Sequence, residues 1–323
     1  MIQTASLDQD VISSANAWLA AGQVIHLATV IATWGSSPRP PGSLMAIGPQ
    51  GAIVGSVSGG CIEDDLLARY GTVTVPHPTR LVYGATAEEA ARFGLPCGGQ
   101  LEILLESLAE PEALRHLWQA LQARQGCWRE VELATGTTRL LPAQQPPETR
   151  LHITSTHISK YFGPGFRLLL VGGGDIGHYT AKFALDLDYE VIVVEPRAQY
   201  AGQWRLTAAH LERRMPDDAV QAWIQDIASA VVTLTHDPKL DDLALLEALP
   251  SPALYVGALG SARTQAKRRQ RLAELALEQR AIDRLRGPVG LPLGGRRPAE
   301  IALAIMAEIT ATRYKGAEVC VAG

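Results

Sequence analysis

The chain has 323 residues, of which 47% are hydrophobic and 19% are charged. A chain of this length and composition can form two globular domains with a core each, and the composition excludes a disordered or a coiled-coil protein. The 29 Lys and Arg residues against 33 Asp and Glu residues give a formal net charge of -4. No overall basic field would hold nucleic acid or an anionic membrane, so we expect small molecules or other proteins as partners.

The N-terminus and the cysteines indicate a cytoplasmic protein. The first ten residues, MIQTASLDQD, have neither the basic start nor the apolar run of a signal peptide. No later stretch reaches the length of about 18 apolar residues that a membrane helix needs. The four cysteines are widely spaced, with no Cys-x-x-Cys pair and no neighbouring His pair. We therefore expect neither a disulfide framework nor a structural zinc site.

The first elements combine one amphipathic helix with short strands. In DQDVISSANAWLAAGQ the apolar residues recur at helical spacing, and Gly22 provides a stop. VIHLATVIAT has the composition of a buried strand, the loop WGSSPRPPGS follows, and LMAIG and AIVGSVS are two further short strands. A Gly-Gly-Cys turn ends this segment, and we predict that a helix begins near Cys61.

Strands and short helices continue as far as residue 150. TRLVYG is predicted as a strand, AEEAARFG as a short helix, and PCGGQ as a turn into an alternating strand. Residues 111–124 are predicted as a helix and CWREVELATGTTRLLP as a hairpin closed around ATGT. PAQQPPETR is rich in proline and poor in apolar residues, which is typical of a linker. We therefore predict one domain over residues 1–150 and a second over residues 151–323.

The second domain opens with the pattern of a dinucleotide-binding fold. FRLLLVGGGDIGHYTAKFALDLDYEVIVVEP contains a strand, the glycines Gly172, Gly174 and Gly177, a helix, and a second strand that ends in Glu195. Helices and strands alternate from there to the final helix, PAEIALAIMAEITATRY. The predicted fold class is α/β, with an N-terminal α/β domain followed by a C-terminal Rossmann-like domain that has a doubly wound parallel sheet.

The glycine fingerprint predicts a nucleotide or phosphate site. Gly172 permits a tight turn, Gly174 allows close approach of a pyrophosphate, and Gly177 lets the helix lie near the strand. Glu195 lies where an acid would bind a ribose hydroxyl. The alternative is a fold that retained these glycines for packing after losing its ligand. Taken alone, the fingerprint also suggests NAD(P) as a cofactor and an NAD(P)-dependent oxidoreductase as an alternative function.

Polar residues follow two further strands of the predicted parallel sheet. Strand ends THD and GALGS should open at the carboxyl edge, where ligands of open α/β sheets bind. They contain the candidate binding residues His236, Asp237, Gly260 and Ser261. The alternative for the His-Asp pair, which is the more common one after a strand, is loop capping.

The Gly-Gly-Cys turn is the main candidate site of the first domain. A thiol in the first turn of a helix is favoured as thiolate by the oriented N–H groups and the helix dipole. The acids Glu63, Asp64 and Asp65 would raise the thiol pKa unless they point to solvent. The alternative is a cysteine that acts only as a small buried apolar residue. The candidate residues of this turn are Ser58, Gly59, Gly60 and Cys61.

Two other loops of the first domain carry related features. PCGGQ again pairs a cysteine with two glycines, at Cys97, Gly98 and Gly99, and the two cysteine loops could meet across one pocket. The proline-stiffened loop GSSPRPPGS presents Arg39, which suits an anionic group. Cys127 and Cys320 lack such a setting, and we interpret them as core and tail residues.

The basic run RTQAKRRQRL has two interpretations. A solvated helix face explains most runs of this kind, and a docking surface for an acidic partner is the less common one. His152 and His157 fall in a predicted strand region and show no spacing typical of metal ligands.

Six motifs together resemble one known family. They are TVIATWGSSPRPPGSLMAI, GSVSGGCIEDDLL, PCGGQLEILLE, VVTLTHD, YVGALGS and GLPLGGRRPAEIALAIMAEI. In this order they resemble the motifs of the XdhC/CoxI family, the maturation factors of xanthine dehydrogenase-type molybdenum enzymes. The similarity extends from about residue 24 to about residue 312, and it is specific because six separate motifs agree in order.

The resemblance implies a molybdenum cofactor-binding maturation chaperone and not a turnover enzyme in the ordinary sense. Such a protein binds and protects molybdopterin, supports its sulfuration, and delivers it to an apo-molybdoenzyme of the xanthine dehydrogenase family. A cysteine desulfurase would supply the sulfur. Carried onto this chain, the motif positions are Arg39, Cys61 and Cys97. Cys61 would ligate molybdenum or carry sulfur as a persulfide.

One position departs from the family pattern. Many members have Gly-Ala-Gly-His after the first Rossmann strand, whereas this chain has Asp175 at the place of the histidine. The chain could therefore serve a different molybdoenzyme or a cytosine dinucleotide form of the cofactor, whose pyrophosphate would suit the glycine loop. A protein-docking scaffold without a ligand is a further alternative. A homodimer is the default expectation for a cytosolic protein of this size.

Overall fold

Antiparallel strands form the first half of the chain, and parallel strands form the second. The computed structural model describes residues 7–35, 39–86, 88–89, 93, 99–143, 147 and 149–314. The chain divides into two compact units, the first ending at Pro164 and the second beginning at Gly165. None of the helices within the described ranges is both long enough and apolar enough to span a membrane.

The N-terminal unit contains two antiparallel sheets. The larger sheet has the order β3-β2-β1-β5-β4, and the smaller has the order β7-β6-β9-β8. The strands are β1 (Ile25–Trp34), β2 (Leu44–Ile47), β3 (Ile53–Gly55), β4 (Thr79–Tyr83), β5 (Gln100–Leu108), β6 (Cys127–Glu132), β7 (Thr138–Pro142), β8 (Leu151–Ile153) and β9 (His157–Phe162). The helices are α1 (Leu7–Ala20), α2 (Cys61–Tyr70) and α3 (Glu112–Gln122), with a 3₁₀ turn at Pro49–Gly51.

Both faces of the larger sheet are buried. Along β1, Ala28 and Val30 belong to the core that includes Ile62 and Leu66 of α2. Ile25 and Leu27 belong instead to the core formed with α1, α3 and the smaller sheet. Successive strand residues point to opposite faces, so a strand covered on both sides has a nearly continuous apolar sequence. This explains the apolar run VIHLATVIAT.

Most predicted N-terminal elements are confirmed, including the first helix, the helix at Cys61, the hairpin around ATGT and the helix after residue 111. The short helix predicted at AEEAARFG lies mostly outside the described residues.

The division between the units lies after Pro164, and not after residue 150 as the proline-rich stretch suggested. Strand β9 pairs with β6 along its whole length, and β8 pairs with β9. In addition, Lys160 on β9 bonds to Asp8 on α1 at 2.7 Å. The proline-rich stretch therefore connects two strands of one sheet, because strand pairing outweighs its linker-like composition.

The C-terminal unit is built on a parallel sheet of six strands. They are β10 (Arg167–Val171), β11 (Glu190–Val194), β12 (His210–Glu212), β13 (Ser229–Thr233), β14 (Tyr255–Ala258) and β15 (Leu285–Arg286), in the order β12-β11-β10-β13-β14-β15. Numbered within the unit, this order is 3-2-1-4-5-6, which is that of a Rossmann fold. The predicted fold class is confirmed.

Helices cover both faces of this sheet, as a doubly wound fold requires. They are α4 (Asp175–Asp186), α5 (Ala198–Ala201), α6 (Pro216–Trp223), α7 (Pro238–Ala248), α8 (Ala262–Glu274), α9 (Gln279–Ile282) and α10 (Pro298–Arg313). One core contains buried residues of α6, α7, α8 and α9, and the other contains buried residues of α4 and α10. The segments that follow β13 and β14 lead into α7 and α8, and these segments contain residues considered below.

Candidate functional site

Three loops of the N-terminal unit leave the larger sheet at the same end of its strands. Trp34, at the end of β1, pairs with Gln100, at the start of β5. Tyr83, at the end of β4, pairs with Leu101, and Gly55, at the end of β3, pairs with Met45 near the start of β2. The loops of Arg39, of the Gly-Gly-Cys turn and of Cys97 therefore all leave the sheet on the same side.

The Gly-Gly-Cys turn leads directly into α2. Gly60 is the N-cap residue, and Cys61 is the first residue of the helix. Gly59 and Gly60 have φ angles of 96° and 148°, which L side chains rarely adopt. A Cβ added at either glycine would meet nothing within 4 Å. Backbone conformation therefore requires glycine at both positions, and the space beside the turn is left open.

The Glu63 carboxylate fills the interior of this turn. It accepts backbone hydrogen bonds from Val57 at 2.9 Å, Ser58 at 2.8 Å, Gly59 at 3.0 Å and Gly60 at 2.8 Å. The hydroxyl of Ser56 donates to it at 2.6 Å, and the hydroxyl of Ser58 donates to its other oxygen. Six donors from five consecutive residues converge on one side chain, which holds the turn in a single conformation.

The carboxylates of Glu63, Asp64 and Asp65 have three different environments. Burial opposes ionisation of Glu63, but the hydrogen bonds from Ser56, Ser58 and Gly59 outweigh it and lower its pKa. Its charge is thus compensated inside the turn. Asp64 is exposed, whereas Asp65 accepts a hydrogen bond from Tyr83 and pairs with Arg69 at 2.9 Å.

The two described cysteines have opposite environments. Cys61 is exposed at the start of α2, so its side chain is not a small buried apolar group. Cys127 is buried with 3% of its surface exposed, as its interpretation as a core residue predicted. Burial raises the pKa of the Cys127 thiol to about 11. Cys61 is therefore the thiol that an external molecule can reach.

The other two loops are only partly described. Cys97 and Gly98 lie outside the described residues, as does Cys320. Gly99 lies against Gly35, because a Cβ on Gly35 would come within 3.2 Å of the Gly99 Cα atom. Arg39 is half-buried in the loop that Gly35 begins. The start of the Arg39 loop and the end of the Cys97 loop are therefore in contact.

The glycine fingerprint has the predicted geometry. Gly172 has a φ angle of 115°, and a Cβ on Gly177 would collide with the Gly172 carbonyl oxygen. Gly174, the N-cap of α4, has open space around it. The three glycines therefore supply the turn, the close approach and the helix packing that the pattern requires.

The Glu195 carboxylate is hydrogen-bonded to other groups of the protein. It is fully buried, and its carboxylate accepts hydrogen bonds from the Gly173 amide at 3.0 Å and from two guanidinium nitrogens of Arg197 at 2.8 Å. Burial opposes its ionisation, but the bonds from Arg197 and Gly173 lower its pKa. The prediction that Glu195 binds a ribose hydroxyl would require these bonds to rearrange. Asp175 adds an exposed acid to the first turn of α4.

Two of the four polar candidates after β13 and β14 cap helices. The Asp237 side chain accepts a hydrogen bond from the Lys239 amide at 3.0 Å, and Ser261 accepts one from the Thr264 amide at 3.2 Å. His236 and Gly260 line a cavity of about 420 Å³. Asp237 thus has a capping role, which is close to the alternative interpretation of the His-Asp pair, and Ser261 caps α8 without having been predicted to do so.

Sequence reasoning missed the basic side chains of α8 in this cavity. Arg263, Lys267 and Arg271 line it, together with the buried pair of Arg268 and Asp241. The basic run is therefore only partly a solvated helix face. The acids of α7 in PKLDDLALLEAL were an available signal, because buried arginines need nearby carboxylates.

No group of three or more His, Cys, Asp and Glu side chains suited to a metal ion occurs in the part of the chain that the structure describes. The strand positions of His152 and His157 are confirmed, in β8 and β9.

Comparisons with known proteins match both units. A family model described as the XdhC and CoxI family matches residues 18–84, and the XdhC Rossmann domain matches residues 168–309. The molybdenum cofactor insertion chaperone PaoD of Escherichia coli (strain K12) is 26% identical over 304 residues, covering 91% of this chain and 85% of that protein. A probable xanthine dehydrogenase subunit of Bacillus subtilis (strain 168) is 25% identical over 319 residues, covering 91% of this chain and 94% of that protein.

A solved structure shares the whole fold. The crystal structure of a xanthine dehydrogenase from Bacillus halodurans has a TM-score of 0.74 and 22% identity, covering 97% of this chain and 98% of that chain. A sequence identity of this size supports a shared fold and nothing further. The two family matches occur in the order that the sequence motifs predicted, one in each unit. The chain belongs to the XdhC and CoxI family.

Proposed function

We propose that the chain is an insertion chaperone that binds molybdenum cofactor as cargo and delivers it to a molybdoenzyme of the xanthine dehydrogenase class. The names of the Escherichia coli and Bacillus subtilis relatives, together with the family, support this assignment. The observation that carries it is the exposed Cys61 thiol at the start of α2, beside two glycines with open space around them.

The turn fits a bulky cargo for a physical reason. Gly59 and Gly60 have no side chains, and nothing lies within 4 Å of their Cβ directions, so a planar or branched molecule can approach the backbone there. Glu63 fixes the turn through six hydrogen bonds, so the thiol is presented by a preorganised backbone. Thiolates are good ligands for soft metal centres. Cys61 would contact the molybdenum centre or hold the sulfur that a cysteine desulfurase supplies.

Other residues of the predicted site have supporting roles in this proposal. The loop that contains Arg39 leaves the larger sheet at the same end as the turn that contains Cys61. Arg39 would bind the anionic phosphate of the pterin. Gly99, which follows Cys97 and Gly98 in the sequence, contacts Gly35, and Cys97 is the second candidate thiol. The open N-terminus of α4 at Gly174 would suit the pyrophosphate of a cytosine dinucleotide form.

The NAD(P)-dependent oxidoreductase has less support in the geometry than in the sequence. Both oxygens of Glu195 are occupied by Gly173 and Arg197, so neither is free for a ribose hydroxyl unless these bonds rearrange. We therefore advance the insertion chaperone alone.

The test is retention of molybdenum cofactor by the purified full-length protein. Metal content and the fluorescence of the oxidised pterin would be measured for wild type, Cys61→Ala and Cys127→Ala. We expect wild type and Cys127→Ala to retain cofactor and Cys61→Ala to lose most of it. Cys127→Ala is a matched control because it removes a free thiol that is buried.

Two results would contradict the proposal. If Cys61→Ala retains as much cofactor as wild type, the turn does not hold the cargo, and Cys97→Ala then tests the second loop. If wild type retains none while free cofactor stays intact in the assay, the chaperone proposal is wrong. Binding of NAD(H) at about micromolar affinity in calorimetry would then favour the NAD(P)-dependent oxidoreductase, whose substrate would have to be found.

A further inference from the structure

The cavity of about 420 Å³ in the C-terminal unit is not lined by the fingerprint glycines. It opens where β13 and β14 end, and its walls come from the segments after these strands, from the start of α7 and from α8. In an open parallel sheet the carboxyl ends of the strands are where ligands bind. Its volume lies within the range of about 300–1,000 Å³ that is typical of small-molecule sites.

Two arginines of the cavity are already paired with carboxylates. Arg268 has 3% of its surface exposed and donates to Asp241 at 2.8 Å. Arg271 donates to both oxygens of Asp242, at 2.7 Å and 3.0 Å. Each of these two arginines is therefore compensated by a carboxylate of α7.

Two further cations of the cavity have no such compensation. Arg263 and Lys267 line it one helical turn apart on α8, and both are exposed. Among the described residues no carboxylate forms an ion pair with either side chain. The cavity thus holds an excess of positive charge, to which the N-terminal turn of α8 adds the positive end of the helix dipole.

A buried hydrogen-bond network fixes the cavity floor. Asp241 accepts from the Thr235 hydroxyl at 2.7 Å, and Arg268 donates to Gln265 at 2.8 Å and to the Leu259 carbonyl at 3.1 Å. Gln265 in turn donates to the Ala258 carbonyl at 2.9 Å. The loops after β13 and β14 are therefore tied to α7 and α8 before any ligand binds, which lowers the ordering cost of binding.

We propose that this cavity is a binding site for a small organic phosphate, with Arg263 and Lys267 as the residues that hold its anionic group. The Thr264 hydroxyl and His236 are further hydrogen-bonding groups in the wall. Pro238 and Leu259 provide apolar surface for the organic part. The site does not depend on the thiol turn, so it can be tested without molybdenum cofactor.

The test is calorimetric titration of the full-length protein with three probes: inorganic phosphate, pyrophosphate and cytidine monophosphate. The variant R263Q/K267Q removes the two uncompensated charges. The control K182Q/R280Q also removes two exposed positive charges, from α4 and α9, outside the cavity. Circular dichroism and thermal unfolding would show that each variant is folded.

We expect wild type to bind cytidine monophosphate, with an affinity that falls as salt is raised. R263Q/K267Q should weaken binding by about thirtyfold or more, and K182Q/R280Q by less than about threefold. Tighter binding of cytidine monophosphate than of inorganic phosphate would assign the site to an organic phosphate. If inorganic phosphate binds as tightly, the organic class is wrong and a free anion is the ligand.

A third variant distinguishes this cavity from the glycine fingerprint. Gly174→Val is compatible with the local φ of -74° and the open space there, and it would obstruct a phosphate at the start of α4. If Gly174→Val abolishes cytidine monophosphate binding while R263Q/K267Q retains it, the phosphate binds at the fingerprint and the proposal is overturned. Absence of wild-type binding to all three probes at about 5 mM would overturn it equally.

Discussion

Two of the glycine-rich loops at helix starts, those before α2 and α4, each contain a hydrogen-bonded, buried glutamate of the same chain. In the turn before α2, Glu63 takes four backbone amides and two hydroxyls. In the loop before α4, Glu195 accepts a hydrogen bond from one loop amide, that of Gly173, and its other hydrogen bonds come from Arg197.

The difference shows what each loop can offer to a ligand. Amides that point at Glu63 cannot also bind an external anion, so the first turn presents its thiol and its open space, and not an anion nest. The second loop leaves the helix start at Gly174 open, although Asp175 adds a negative charge there. A glycine loop before a helix is therefore an anion site only when the chain does not supply the anion itself.

Glu63→Gln should have the largest effect on stability. An amide group cannot accept all six hydrogen bonds, and its NH₂ would face donors of the turn. We expect the free energy of unfolding to fall by about 3 kcal/mol, measured by urea denaturation. Asp64→Asn, one residue away and exposed, should change it by less than about 0.5 kcal/mol. If the two substitutions lower the free energy of unfolding equally, the hydrogen bonds of Glu63 do not stabilise the turn as we infer.

Gly60→Ala and Gly174→Ala isolate the effect of backbone strain, because there is space for a Cβ atom at both positions. Neither new Cβ meets an atom within 4 Å, but Gly60 has a φ angle of 148° and Gly174 one of -74°. We expect Gly60→Ala to lower the free energy of unfolding by about 2 kcal/mol and Gly174→Ala to lower it by less than about 0.5 kcal/mol. A similar loss in both variants, measured by thermal unfolding, would contradict this comparison.

Glu195→Gln should have a smaller effect than Glu63→Gln. The Arg197 side chain is 34% exposed, so its guanidinium can turn to water when the carboxylate is lost, and only one loop amide loses a charged partner. We expect a loss of about 1 kcal/mol in urea denaturation. A loss larger than that of Glu63→Gln would show that the second loop, and not the first, depends more on its glutamate.

The smallest expected difference between the two glutamates lies in how the free energy of unfolding depends on pH. Both carboxyls have folded-state pKa values below their ordinary value of 4.5, so their stabilisation is fully present above about pH 4.5 and is lost as the pH falls through the folded-state pKa. The difference in free energy of unfolding between wild type and Glu63→Gln should be constant from about pH 7 to pH 5 and shrink below that range. The corresponding change for Glu195→Gln should be smaller, and a difference that grows on acidification would contradict the sign.

Local features could be predicted to a large extent from sequence. The start of α2 at Cys61, the turn at Gly172 and the strand runs around it follow from periodicity and glycine placement, which act over a few residues. The interaction of Glu63 with Gly60 was also within reach, since a Glu three residues after a helix N-cap is a capping signal. The carboxylate's bonds to residues before Gly60 required the fold of the turn.

The sequence by itself determined the Rossmann-like unit, the thiol at a helix start and the family, because these depend on local patterns and on motifs in fixed order. Only the tertiary structure decided that β8 and β9 belong to the first unit, that Glu195 is bound by Arg197, and that α7 neutralises part of the basic helix α8. Those outcomes depend on partners far apart in the chain, such as Asp241 and Arg268. Which of the described cations of the cavity have no carboxylate partner among the described residues, here Arg263 and Lys267, is decided by packing and not by composition.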